Sequence, residues 1–191
     1  MIFNFPWLAM IAFALVSPVL ADELEKTVPL REILQPGRVL MLRHAKAPGF
    51  GDPPDFVVDD CASQRNLDAA GRAQARQLGH RLRLLGVRSA SIYSSQWCRA
   101  RETAELLDLG PVQPLPALNS FFDRPRDRES ILGRLRSFLA TLPADGGPTI
   151  LVTHQVVINA FTDAWPASGG GSIFQLDGSG APTWIGAIAT P

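Results

Sequence analysis

The apolar run Val39-Leu40-Met41-Leu42 stops abruptly at Arg43-His44, and this stop constrains the fold of the chain more than any other stretch. A short unbroken run of this kind is the pattern of a strand buried on both faces of a parallel sheet. Ile150-Leu151-Val152 repeats the pattern and stops at Thr153-His154. Weaker strands are predicted at residues 90–94 and 112–115, with a closing antiparallel pair at 172–176 and 183–189 joined through Asp177-Gly178. Between the strands the period changes. In residues 67–85, Ala75, Leu78, Leu82 and Leu85 recur at helical spacing, with Asp68 as N-cap and Gly86 as stop. Further helices are predicted at residues 99–108, 129–142 and 155–164. Strands alternating with helices imply an α/β fold, a three-layer α/β/α sandwich around a mostly parallel central sheet.

The 191 residues suit one domain with a proper core. Acidic and basic residues balance at 18 each, so bulk charge gives no reason to expect nucleic-acid binding. Lys26 and Lys46 are the lysines and all other basic residues are arginines, whose planar fork suits phosphate or carboxylate recognition. Residues 7–20 are almost wholly apolar, and Val19-Leu20-Ala21 fits the small-residue rule for signal peptidase. We therefore expect a signal peptide at residues 1–21, cleaved before Asp22, and a single domain at residues 22–191. The domain would be periplasmic or secreted, without stable membrane insertion once cleaved. The leading residues lack Lys and Arg, so an uncleaved anchor is the alternative. In an oxidising compartment the even pair Cys61 and Cys98 is expected to form a disulfide. Two cysteines and three scattered histidines do not have zinc-ligand spacing, so no metal site is expected.

Ligands of open α/β sheets bind outside the carboxyl ends of the strands. Three strands end in Arg43-His44, in Ser94-Ser95 just before Arg99, and in His154. If these strands are neighbours, two histidines and two arginines converge at one sheet edge. Repulsion and desolvation disfavour such a gathering unless an anion binds there. A phosphoryl group held by Arg43, Arg99 and His154 fits, with the helix N-terminus at Gln155 adding donors. The Pro/Gly-rich residues 47–60 read either as a lid or as a plain surface excursion.

Four ordered blocks resemble the histidine phosphatase superfamily, with its phosphoglycerate-mutase-like fold. Arg43-His44-Ala45 is similar to its Arg-His-Gly signature, and Ser94-Ser95…Arg99-Ala100…Thr103-Ala104 to its Ser-Ser…Arg-Ala-x-x-Thr-Ala block. Leu67-Asp68-Ala69-Ala70-Gly71…Gln74-Ala75 resembles its helix start, and Val152-Thr153-His154 the block carrying its second histidine. The resemblance implies that His44 is a nucleophile forming a phosphohistidine, with Arg43, Arg99 and His154 stabilising the phosphoryl oxygens. It implies no cofactor and a small phosphorylated substrate. Three departures matter. Ala45 replaces glycine, no asparagine follows the signature (Arg65 or Asn66 could supply that contact), and Gln155 stands where some relatives carry an acid. Asp123 is then the candidate general acid. The expected function is an exported, metal-independent phosphatase. The alternative is a catalytically weak protein binding a phosphorylated ligand on the same fold.

Overall fold

Strand β1 (Arg38–Arg43) buries Val39, Leu40, Met41 and Leu42 completely, and they point alternately into two cores. Leu40 and Leu42 join Leu78, Leu82, Ala100, Ala104, Ile92 and Ile150 on one side of the sheet. Val39 and Met41 join Leu132, Leu135, Val157, Leu151 and Phe174 on the other. Burying each such side chain is worth about 1.5–3 kcal/mol, so a strand apolar at every position is stable only between two helical layers. The computed structural model describes residues 27–190. The expected signal peptide at residues 1–21 lies outside the described residues.

The elements after β1 are α1 (Ala69–Leu84), β2 (Ser91–Ser94), α2 (Cys98–Leu106), β3 (Val112–Pro114), α3 (Arg128–Thr141), β4 (Thr149–Thr153), α4 (Gln155–Thr162), β5 (Gly171–Gln175) and β6 (Thr183–Ile188). They build a six-stranded sheet in the order β3-β2-β4-β1-β5-β6. The pairs β1–β4, β2–β4 and β2–β3 are parallel, and β5 runs antiparallel to both β1 and β6. Helices α1 and α2 cover one face, α3 and α4 the other. Among the described residues no helix is long and apolar enough to cross a membrane.

Two helices stop earlier than their apolar pattern suggests. Past the end of α2, Asp108 adopts a left-handed conformation (φ 53), and Asp163 (φ 58) ends α4 in the same way. Aspartate tolerates this region better than most residues because its short side chain hydrogen-bonds locally. Leu85 is 38% exposed, so it leaves the buried stripe at the point where α1 is capped.

The parallel core aligns the ends that carry polar residues. Arg43 pairs with Thr153, and Ser94 with Val152. The carboxyl ends of β1, β4 and β2 are therefore adjacent, which brings Arg43-His44, His154 and Ser94-Ser95 to one edge. Gly71 sets a neighbouring contact. A β-carbon there would lie 2.0 Å from the carbonyl oxygen of Lys46, so glycine lets α1 rest on the backbone just after the Arg-His pair.

Candidate active site

His44 leaves β1 with its backbone clamped on both sides. Its N–H donates to the Thr153 carbonyl at 3.0 Å, and its carbonyl accepts from Gly169 N–H at 3.2 Å. The next residue, Ala45, donates its N–H to Thr103 Oγ1 at 3.0 Å, and that hydroxyl donates to the Arg99 carbonyl at 2.7 Å. The end of β1 is thus tied to the first turn of α2, where Arg99 sits.

The imidazole of His44 is buried, with Nδ1 2.8 Å from the Ala45 carbonyl. A carbonyl only accepts, so Nδ1 carries the proton and Nε2 keeps its lone pair. Arg99 Nε donates toward that Nε2 at 3.2 Å. Burial first, then the Arg99 charge, push the His44 pKa from 6.5 down to about 3, with Arg43 and Arg65 adding to the same direction. The ring is neutral at physiological pH, as a nucleophile must be.

His154 caps the start of α4, and its Nε2 lies 2.8 Å from Ser95 Oγ. Burial, followed by the Arg99 charge, keeps its pKa well below the usual histidine value. The two imidazoles meet edge to face with centroids 5.4 Å apart, and Trp97 meets His154 in the same manner at 5.5 Å. Ser95 is held in turn by Asn119 and by the Trp97 N–H.

Three guanidinium groups surround this pair. Arg43 donates from Nη1 to the Pro166 carbonyl at 2.8 Å, while its Nε is buried with no hydrogen-bond partner among the described residues. A buried unsatisfied donor is costly, and an anionic oxygen is the partner that best relieves it. Arg65 donates to the Gly51 carbonyl at 2.7 Å and to the Ala47 carbonyl, so it fastens the loop after the signature. Arg99 is almost wholly buried and pairs with Asp52. Together these groups line a cavity of about 90 Å³ with His44, His154, Gln155 and Asp123 on its walls. Phe50 and Phe122 also line it, in an edge-to-face pair with centroids 5.0 Å apart, and Phe50 is 88% exposed. The cavity has the size and the positive lining that suit a small anion, with the aromatic pair at its lip.

His44, Arg43, Arg99 and His154 all meet in this one cavity. Asp123 stands on its exposed rim, where its charge acts on Arg65. Of the two residues weighed for the missing asparagine, Arg65 lines the cavity, whereas Asn66 is engaged by the Cys61 and Gln64 carbonyls of its own turn. Cys61 and Cys98 form a disulfide with a Cα–Cα distance of 5.6 Å, which joins the end of the loop to the first residue of α2. Sequence reasoning missed Asp52. A buried arginine cluster needs a compensating carboxylate, but the loop offers four, Asp52, Asp55, Asp59 and Asp60, and nothing local tells them apart. Among the described residues no group of three or more His, Cys, Asp or Glu side chains could hold a metal ion.

The depressed histidine predicts how the protein responds to acid. Above pH 6.5 His44 is neutral whether folded or unfolded. Below it the unfolded chain binds a proton that the native chain refuses until about pH 3, so stability is lost as pH falls through that window. His154 acts in the same direction. Urea midpoints are expected to fall between pH 7.5 and 5, and less steeply in His44→Asn. A flat profile across that range in the wild type would contradict the neutral, buried ring.

Known proteins resemble this chain in sequence pattern and in fold. The sequence model of the histidine phosphatase superfamily (branch 1) matches residues 40–122, which include the Arg43-His44 strand end and Arg99. No curated protein matches the chain. Among solved structures, the protein histidine phosphatase SixA complexed with tungstate superposes with a TM-score of 0.59 at 20% identity, covering 80% of this chain and 97% of that one. A mycobacterial hydrolase superposes with a TM-score of 0.57 at 18% identity, covering 78% and 96%. The mycobacterial glucosyl-3-phosphoglycerate phosphatase in complex with VO3 gives 0.52 at 18% identity, covering 77% and 95%. At these identities the superpositions bear on the fold.

Proposed function

We propose that this chain, whose residues 40–122 match the histidine phosphatase superfamily model, is a phosphatase that hydrolyses a small phosphorylated substrate through a phosphohistidine on His44. One observation carries this reading: the unprotonated Nε2 of a neutral, buried His44 accepts from Arg99 Nε inside an arginine-lined cavity. The Nε2 lone pair attacks phosphorus, the P–O bond to the leaving group breaks in line, and a P–N bond forms. Water then attacks the phosphohistidine, the P–N bond breaks, and its electron pair returns to Nε2 as inorganic phosphate departs. Arg43, Arg65, Arg99 and His154 surround the phosphoryl oxygens and stabilise the transition-state charge. Quenching a reaction with labelled substrate in alkali, where phosphohistidine survives, tests the step directly. Label on the His44 peptide supports it. Binding of phosphate with no label and no turnover would favour a weakly catalytic phosphate-binding protein.

Each side chain in this scheme is a protein group, so turnover in EDTA is the expected result. The apolar residues 7–20 and the Cys61–Cys98 disulfide support an exported location, since disulfides persist in oxidising compartments.

The rim position of Asp123 bears on leaving groups. An alkoxide must be protonated as it departs, whereas p-nitrophenolate leaves without help. Asp123→Asn is expected to slow an alkyl phosphate about tenfold or more and to leave p-nitrophenyl phosphate nearly unchanged. Equal effects on both substrates would remove Asp123 from the role of acid.

A further inference from the structure

Asp52 grips both terminal nitrogens of the Arg99 guanidinium. The Asp52 side chain is only 2% exposed, although it comes from the Pro/Gly loop. Its Oδ1 accepts from Arg99 Nη1 at 2.7 Å and from the Arg65 N–H at 3.1 Å. Its Oδ2 accepts from Arg99 Nη2 and from Trp97 Nε1, both at 3.0 Å. Each carboxylate oxygen thus has two donors. Burial works to raise the Asp52 pKa, but the Arg99 hydrogen bonds and charge outweigh it and hold the group ionised. A carboxylate occupied in this way is no proton donor for a leaving group.

The edge of the guanidinium that Asp52 takes decides what Arg99 can do. A guanidinium has two usable edges, the end edge of Nη1 and Nη2 and the side edge of Nε and Nη2. Asp52 grips the end edge, and the Arg65 carbonyl accepts from Nη1 at 3.3 Å. The side edge is left, and its Nε already points at His44 Nε2. A phosphoryl group joined to that nitrogen would place an equatorial oxygen against the Nε–H and the remaining Nη2–H.

We propose that Asp52 is a positioning residue that aims the side edge of Arg99 at the phosphoryl group on His44. The proposal rests on the phosphatase reading. It makes the loop after the signature part of the catalytic apparatus, because a residue of that loop holds the arginine. Asp52 does not compete with substrate, since it holds the opposite edge from the one that faces the nucleophile.

Asp52→Asn keeps the shape and removes the charge. It is expected to lower kcat on p-nitrophenyl phosphate about 10- to 100-fold, because a misaimed guanidinium loses transition-state contacts more than ground-state ones. The inhibition constant for inorganic phosphate is expected to stay level or fall, since a negative charge leaves the site. A kcat within about twofold of wild type overturns the proposal. So does a parallel loss of kcat, phosphate affinity and melting temperature, which is what mere support of the loop would produce. A wild type without turnover refutes the phosphatase reading alone, and vanadate binding then decides about Asp52. A loss of about tenfold or more in Asp52→Asn upholds positioning, and a smaller loss overturns it.

Discussion

His44→Ala is expected to abolish turnover, leaving less than about one part in a thousand of the wild-type rate on p-nitrophenyl phosphate. The loss follows from the step that the residue performs. Without Nε2 no phosphoenzyme forms, and water must displace the leaving group in one step. His154 cannot substitute, because its Nε2 is engaged by Ser95 and its ring stands 5.4 Å from that of His44. The variant should still fold. The backbone groups of His44 bond to Thr153 and Gly169, and neither contact involves the ring. It should also still bind phosphate through Arg43, Arg65 and Arg99, with affinity within about tenfold of wild type. Added imidazole, small enough for the space left by the ring, is expected to restore part of the rate. A variant that folds and keeps more than about a tenth of wild-type activity would move the nucleophile elsewhere.

Replacing Cys61 and Cys98 together by alanine is expected to cost about 3–4 kcal/mol of stability. The two residues are 37 apart in sequence, and a bridge across a loop of that length restricts the unfolded chain accordingly. Urea denaturation of the oxidised wild type and the double variant measures the difference, and treating the wild type with reductant should reproduce it. The effect should reach the site as well. Cys98 directly precedes Arg99, and its N–H is held by Gln64 Oε1, whose amide nitrogen bonds the Val57 and Val58 carbonyls of the loop. Loosening that base lets Asp52 and Arg99 drift together, so a severalfold loss of kcat is expected below the melting transition. A stability loss below about 1 kcal/mol would mean that the unfolded chain gains little freedom when the bridge is absent.

How legible the molecule was in its sequence differs from element to element. β1 and β4 announce themselves because every side chain between two helical layers must be apolar, a local property of a few residues. The ends of α2 and α4 were harder to read. Their apolar pattern continues, and only the left-handed turn at Asp108 and Asp163 stops them. Within the site, Arg43 and His44 stand out as polar residues at the close of a buried strand. Arg99 and His154 stand out through the spacing of their blocks. Arg65 remained one of two choices with Asn66, since which neighbour turns into the cavity depends on how the loop folds back.

The sequence by itself determined the layered α/β architecture, the strand ends that carry His44 and His154, and the arginine-rich character of the cavity. Periodicity and abrupt changes of polarity are written in consecutive residues, and burial translates them directly into structure. Only the tertiary structure decided that β2, β4 and β1 lie side by side, that Arg43 Nε is buried without a partner among the described residues, and that Asp52 holds one edge of Arg99 and frees the other. Asp52 and Arg99 are 47 residues apart, and nothing local marks either as the other's partner. Their pairing arises because a buried guanidinium requires a carboxylate, and the fold brings that one within reach.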